Sequence, residues 1–359
     1  MKSIFFKFFV GTIFIFIYGC TDDDSTTPEE EMIIPDATEF LEANHINFTG
    51  PVFDLEAAPN GDILIADSGF GVLSCAGSAE ISLPGISNIA SIDTESMWAL
   101  TGAPSADLTV QDIGQGLYRI SNGNSEFITN LFAFDEANNP DGGEVGSNPY
   151  EVLSIDENTA LIADAGANDL LRVDAQGNVE LVAVFPMELV STANVQSLVG
   201  CPNPSEICDL PAMIPAEAVP TAVAIGPDGY YYVGELKGFP APIGESNIWR
   251  IAPDANGVMC GSDPDCMEAF DGGFTSIIDM VFGPDGRLYV AEFDARSWFA
   301  MEQGEGGVIK SCDINTMECE TIATGIPMLT AIAFDQSGAL WATRNALIPE
   351  MAEVFRVME

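Results

Sequence analysis

Four carboxylates and one guanidinium stand at the same point of a repeated phrase. Asp67, Asp164, Glu235, Glu292 and Arg344 each close the second of two apolar runs. Asn148 and Thr221 stand at or just ahead of the first run in two copies, as does Ser276 in another, and Asn168 follows Asp164 by four residues. If the runs are strands laid around an axis, these residues are expected to converge as a ligand-binding funnel at one end of a central channel. Grouped carboxylates can hold a hard cation or accept hydrogen bonds from hydroxyls and amines. They also raise one another's pKa unless a cation compensates, and Arg344 is expected to balance part of the ring. The competing reading is that an acid after a strand is a turn former in a very acidic chain. Histidine-dependent triads fail, because the single histidine, His45, precedes the repeats and leaves serine or cysteine without a base. No catalytic residue is nominated.

The elements that must position these groups are legible. The phrase occurs six times, at 52–67 (VFDLEAAPNGDILIAD), 89–102, 150–164, 221–235 (TAVAIGPDGYYYVGE), 277–292 (IIDMVFGPDGRLYVAE) and 329–344. Each copy is an apolar run, a tight polar turn and a second apolar or aromatic run. Pro-Asp-Gly at 227–229 and 284–286 supplies a fixed φ followed by a tolerated positive φ, the chemistry of a turn between antiparallel strands. The flanking Val, Ile, Tyr and Phe suit pleated surfaces. A third run follows each copy, and five of its six versions carry a cation at one position: Arg119, Arg172, Arg250, Lys310 and Arg356. A repeated slot explains this, with the stem packed along a strand and the charge near an acid. A fourth run follows in most copies.

Repeats of this length and strand content predict an all-β chain, a six-bladed β-propeller with four-stranded antiparallel blades. The chain stops just after the third run of the last copy, while residues 45–50 read as a fourth-run strand ahead of the first. That N-terminal strand is expected to close the ring and remove its free edge. No helical periodicity of useful length is visible.

The first residues read differently. Lys2 and Lys7 precede a short apolar stretch, 8–18, too short to span a bilayer and fit for a signal-peptide core. It ends Ile-Tyr-Gly-Cys20, which resembles a bacterial lipobox whose cysteine is acylated, so residues 1–19 are expected to be a lipoprotein signal peptide and Cys20 the membrane anchor. Residues 20–37 are acidic and poor in aromatics, the composition of an extended tether, with a reach of roughly 60 Å. The acidic run after Cys20 resembles the export signal of Bacteroidetes-type lipoproteins and implies an outer-membrane or cell-surface location. Residues 38–359 are left for the propeller.

Seven further cysteines fit an oxidising compartment. Cys201 with Cys208, Cys260 with Cys266, and Cys312 with Cys319 are expected to form three local disulfides, the last two stapling equivalent hairpins; Cys75 stands outside the pairs. Zinc is the competing reading, but no CxxC spacing occurs.

Eleven Lys and Arg face 55 Asp and Glu. A chain this acidic repels nucleic acid and anionic surfaces, so no nucleic-acid partner is expected. Acidic loops at Asp141-Gly142-Gly143-Glu144 and Asp263-Pro264-Asp265 could hold Ca²⁺, the one cofactor the composition suggests, although neither has EF-hand spacing.

Several segments resemble the ScyD/ScyE family, which is named from a pigment locus and built as NHL- or SMP-30-like propellers. They are Asn148-Pro149-Tyr150, the stretch ADAGANDLLRVD at 163–174, Val219-Pro220-Thr221, GELKGFP at 234–240 and GGFTSIID at 272–279. The resemblance covers about 148–344 and implies the fold rather than an activity. The related gluconolactonases bind a divalent metal through Glu, Asn and Asp. Asn148 matches the Asn, while Thr49-Gly50 and Thr221 stand where the acids would be. The first function expected is therefore a lipid-anchored extracytoplasmic module binding a small molecule or protein partner. The alternative is a Ca²⁺-assisted hydrolase or lyase using the acidic ring.

Overall fold

The structure, a computed structural model, describes residues 48–75, 80–102, 115–202, 205–270, 272–300 and 303–358. The signal peptide, Cys20, the tether and residues 45–47 of the expected closing strand lie outside them.

Each copy of the phrase is a β-hairpin, and each hairpin opens one antiparallel sheet. The innermost strands are Val52–Ala57, Ile86–Ser91, Pro149–Asp156, Pro220–Ile225, Ile277–Phe282 and Ile332–Phe334. Second strands end at Asp67, Thr101, Asp164, Glu235, Glu292 and Arg344. Five sheets run from inner to outer strand in chain order with at least four strands, and the sixth has three described strands. Inner strands of successive sheets pack on one another, and that of blade 6 packs on that of blade 1. The result is a closed six-bladed propeller with its cores between the blades.

Hydroxyls on or just ahead of the inner strands tie neighbouring blades. Ser87 Oγ donates to the carbonyl of Pro149 (3.2 Å), Thr221 Oγ1 to that of Ile277 (2.7 Å) and Thr330 Oγ1 to that of Val52 (2.8 Å). The last bond crosses the ring closure. Phe48 is buried against blade 6, its carbonyl accepts from Glu350 N (3.1 Å), and Val52 N donates to Ala346 (2.8 Å). The N-terminal segment thus runs onto blade 6 from Phe48.

The cation slot is occupied as expected. Arg172 meets Glu180 (3.6 Å), Arg250 meets Asp228 (2.8 Å) and Arg356 meets Asp335 (3.8 Å). Arg119, Arg250 and Arg356 also lie over the rings of Trp98, Tyr230 and Trp341. Lys310 likewise meets an acid, Glu292 (2.9 Å), and lies over the ring of Phe274.

All three local disulfides form, and Cys75 is a buried thiol. Cys312 and Cys319 are direct cross-strand partners in the outer hairpin of blade 5. Cys260–Cys266 is not the equivalent hairpin. Val258–Met259 adds in parallel to the outer strand of blade 3 while Cys266–Glu268 is the outer strand of blade 4, so this bridge joins segments of two blades.

Among the described residues two α-helices interrupt the all-strand expectation. Helix α1, Leu131–Asn138, is capped by Asn130 accepting from Ala133 N (3.2 Å) and ends at Asn139 in the left-handed region (φ 40°). Helix α2, Ala193–Leu198, lies in an excursion flanked by the paired strands Glu188–Ser191 and Met213–Ala216. Both are too short to show a helical period in sequence.

Candidate functional site

The acids closing the second strands are turned into their own blades. Asp67 is fully buried and accepts from the amides of Thr49 (2.7 Å), Gly50 (2.8 Å) and Gly69 (2.9 Å). Asp164 accepts from Ser147 Oγ (2.5 Å) and from the amides of Asn148, Gly166 and Ala167. Each clamps the turn after its strand to the segment leading into the inner strand. That contact demands glycine: a Cβ on Gly69 would lie 2.7 Å from Gly50 N, and one on Gly166 2.6 Å from Asn148 N. Glu292 accepts from Thr275 N (2.6 Å) and Lys310 Nζ. Arg344 bonds Glu353 of its own blade and lies over Phe355, so its charge is spent there rather than on a shared ring. Thr221 is committed to Ile277, as above. Asn168 bridges Asp141 Oδ2 (3.0 Å) and Val219 N (3.0 Å).

Glu235 carries a fuller network. It is buried, accepts from Trp249 Nε1 (2.6 Å) and Asn247 N (3.2 Å), and faces Lys237 Nζ at 2.6 Å. Lys237 is equally buried and reaches Glu188 at 2.6 Å, which also accepts from Asn247 Nδ2. Burial pushes Glu235 up to about 7, against the pull of the ammonium and the indole N–H. Around this triad Val219, Lys237, Ala241, Ser276 and Ser297 all hold positive φ, which costs non-glycine residues energy and persists only when surroundings over-determine it. Trp298 Nε1 donates to Lys237 O (2.9 Å), and Asn194 on α2 donates to Ala241 O, Arg296 O and Ser297 Oγ. Loops of blades 4 and 5 and the α2 excursion are thereby locked together.

A different set of acids meets at the propeller's axis. Aligning the inner strands puts Asp54, Asn88, Glu151, Ala222, Asp279 and Ala331 at one position. Asp54 accepts from Ile89 N of the next blade (2.9 Å), Asn88 from Val152 N (2.8 Å) and Asp279 from Ile332 N (2.6 Å). Asn88 Nδ2 donates to Glu151 Oε2 (2.9 Å), and Glu56, two residues after Asp54, accepts from Ser91 N (2.8 Å). Burial and then the charge of Asp279 hold Asp54 well above the usual carboxylate range. Glu151 is raised by burial and by Asp54, Asp279 and Glu56. Burial lifts Glu56 and Asp279 to about 7. Residues of blades 1, 3 and 5 therefore feel one another across the channel, and Tyr150 stands among them, its phenol raised by the same causes. All four carboxyls are thus held above the range of exposed carboxylates.

Reading the sequence missed this set because it looked at strand ends. The signal was present: an acid or amide third in an otherwise apolar inner run, in four of six copies.

Neither a comparison with protein-family models nor one with curated proteins finds a match. Solved structures do match. One is a protein of unknown function from Bacteroides thetaiotaomicron, 12% identical, with a TM-score of 0.53 over 87% of this chain and 70% of that one. Another is a gluconolactonase from Xanthomonas campestris, 9% identical, TM-score 0.52, over 86% and 87%. A putative oxidoreductase (glucose dehydrogenase) from Thermus thermophilus is 15% identical, TM-score 0.50, over 87% and 97%. The shared fold is the NHL/SMP-30-like six-bladed β-propeller. At such identities the likeness carries fold alone.

Within this propeller, no three His, Cys, Asp or Glu groups among the described residues are placed to hold a metal ion. Asn148 has its amide on Asp164, and the neighbouring positions of the gluconolactonase pattern are Thr49, whose amide and hydroxyl bond Asp67, and the committed Thr221. What the channel offers instead is a set of linked carboxyl and amide acceptors held close together.

Proposed function

We propose that this chain is a lipid-anchored extracytoplasmic binding module whose channel takes a small cationic or hydroxyl-rich ligand without transforming it. The supporting observation is the convergence of Asp54, Glu56, Glu151 and Asp279 at the axis with raised pKa values. A cation entering there replaces protons as the compensating charge, and hydroxyls find acceptors on several blades. The probe is spermidine, titrated calorimetrically at pH 7 in buffers of different ionisation enthalpy. Binding should release protons, and Glu151→Gln should weaken it at least about tenfold, roughly 1.4 kcal/mol. Binding without proton release, or unchanged by Glu151→Gln, would place the ligand elsewhere.

Anchoring is a separate part of the proposal and rests on the lipobox-like Ile-Tyr-Gly-Cys20 and the acidic run behind it. Among the described residues no helix is long and apolar enough to cross a membrane. On fractionating cells, Cys20→Ser should move the protein from membranes to the soluble fraction; retention on membranes would rule out acylation at Cys20.

A further inference from the structure

Beside blade 3 is a second group of acids that plays no part in the channel. Asp135 lies on α1 and Asn139 caps it four residues on, its backbone N–H donating to Asp135 O. Asp141 follows in the loop, and Asp164 and Asp169 flank the turn between the second and third strands of the blade. Most oxygens of Asp141 and Asp164 are spoken for. Asp141 accepts from Gly143 N and Asn168 Nδ2, and Asp164 takes four donors.

The remaining oxygens are buried with no donor. Asp169 is completely buried and both its carboxylate oxygens lack a partner; so do Oδ1 of Asp135, which is 1% exposed, and Oδ1 of Asn139. The other oxygen of Asp135 accepts from Gly146 N (2.8 Å), and Asn139 Nδ2 donates to Gly143 O (3.1 Å), which holds both side chains in place. The charges acting on Asp169 are those of Asp164, Asp135 and Asp141, all of one sign. Burying unpaired carboxylates is costly unless a charge or donor compensates. One proton satisfies one oxygen and one water supplies two hydrogens, whereas four acceptors in a nest of four acids call for a positive ion with oxygen ligands.

We propose that a divalent cation of the size and hardness of Ca²⁺ binds between α1 and blade 3. Asp169 is its two-oxygen ligand, with Asp135 Oδ1 and Asn139 Oδ1 beside it and water completing the shell. Ca²⁺ suits the set better than Mg²⁺, because it accepts bidentate carboxylate and amide oxygens in flexible arrangements of six to eight, while Mg²⁺ demands a tight octahedron. Two carboxylates and an amide make up the protein's share, so the site lacks a third free acid. The ion pins the connection between blades 2 and 3 to the blade itself.

The test is Ca²⁺ titration of the whole mature chain, stripped with EDTA, by calorimetry and by melting. Wild type should bind about one Ca²⁺ beside blade 3 and melt at higher temperature with it. Asp169→Asn should weaken that binding at least about thirtyfold while folding normally without metal, since it removes a buried charge. Asn139→Gly keeps the left-handed cap but loses the amide oxygen together with the Nδ2 bond to Gly143 O, and should weaken binding about tenfold. Asp263→Asn, in an acidic loop of blade 4, should bind as wild type. No heat and no melting shift up to millimolar Ca²⁺ would overturn the site, as would an Asp169→Asn or Asn139→Gly protein that binds Ca²⁺ like wild type.

Discussion

Lys237→Met is expected to destabilise the propeller by about 3–5 kcal/mol, the cost of leaving a buried charge without its partner. Lys237 and Glu235 are both fully buried and 2.6 Å apart, and Glu188 completes the triad from the α2 excursion. Removing the ammonium strands Glu235 among Trp249 and Asn247, which donate to it but do not neutralise it. It also cuts the tie between the excursion and blade 4, so proteolysis should strike the 186–218 segment first. The triple substitution Lys237→Met, Glu235→Gln, Glu188→Gln should recover most of the loss, since it deletes the charges together. Chemical denaturation of the three proteins decides. A single substitution as stable as wild type would mean that the triad contributes nothing, and a triple no better than the single would mean that packing rather than charge is at stake.

Stability should also fall as pH rises from about 4 to about 8, driven by the channel acids. Glu56 is lifted from 4.5 and Asp279 from 3.8, each to about 7. Between those limits the folded chain binds protons that the unfolded chain has released, so stability has a negative slope with pH. The contribution is fully present below the unfolded pKa values and is lost as pH passes the folded ones. At about 1.4 kcal/mol for each pH unit of difference, Glu56 removes on the order of 3.5 kcal/mol and Asp279 on the order of 4.5 kcal/mol. Repulsion among exposed acids acts in the same direction, but salt screens exposed charges far more than buried ones. Melting temperatures at pH 5 and pH 8 in 1 M NaCl should therefore still differ, and Glu56→Gln with Asp54→Asn should flatten the profile. A wild-type profile that is flat in high salt would show that the channel acids ionise freely.

The two sets of acids differ in how they could be read. Asp67, Asp164, Glu235 and Glu292 stand out in sequence because they recur at one register of a repeat. Their recurrence reflects repeated local work: an acid at a strand end gathers amides or a cation of its own blade. Asp54, Glu151 and Asp279 are scattered through apolar runs and separated by about a hundred residues or more, yet they share one electrostatic environment.

Strand hairpins, their turns, the cation slot and the Cys312–Cys319 staple were determined by sequence alone, because each depends on neighbours within a few tens of residues along the chain. Alternation, turn chemistry and cross-strand pairing are local, and six repetitions of them leave few ways to arrange the sheets. The tertiary structure alone decided which acids face the axis, that Arg344 pairs within its blade, that Lys237 lies buried between two glutamates, and that Cys260–Cys266 joins segments of two blades. Those outcomes depend on distances between residues remote in sequence and on burial, which sets the strength of a charge interaction. A string of residue types contains neither quantity until the ring has closed.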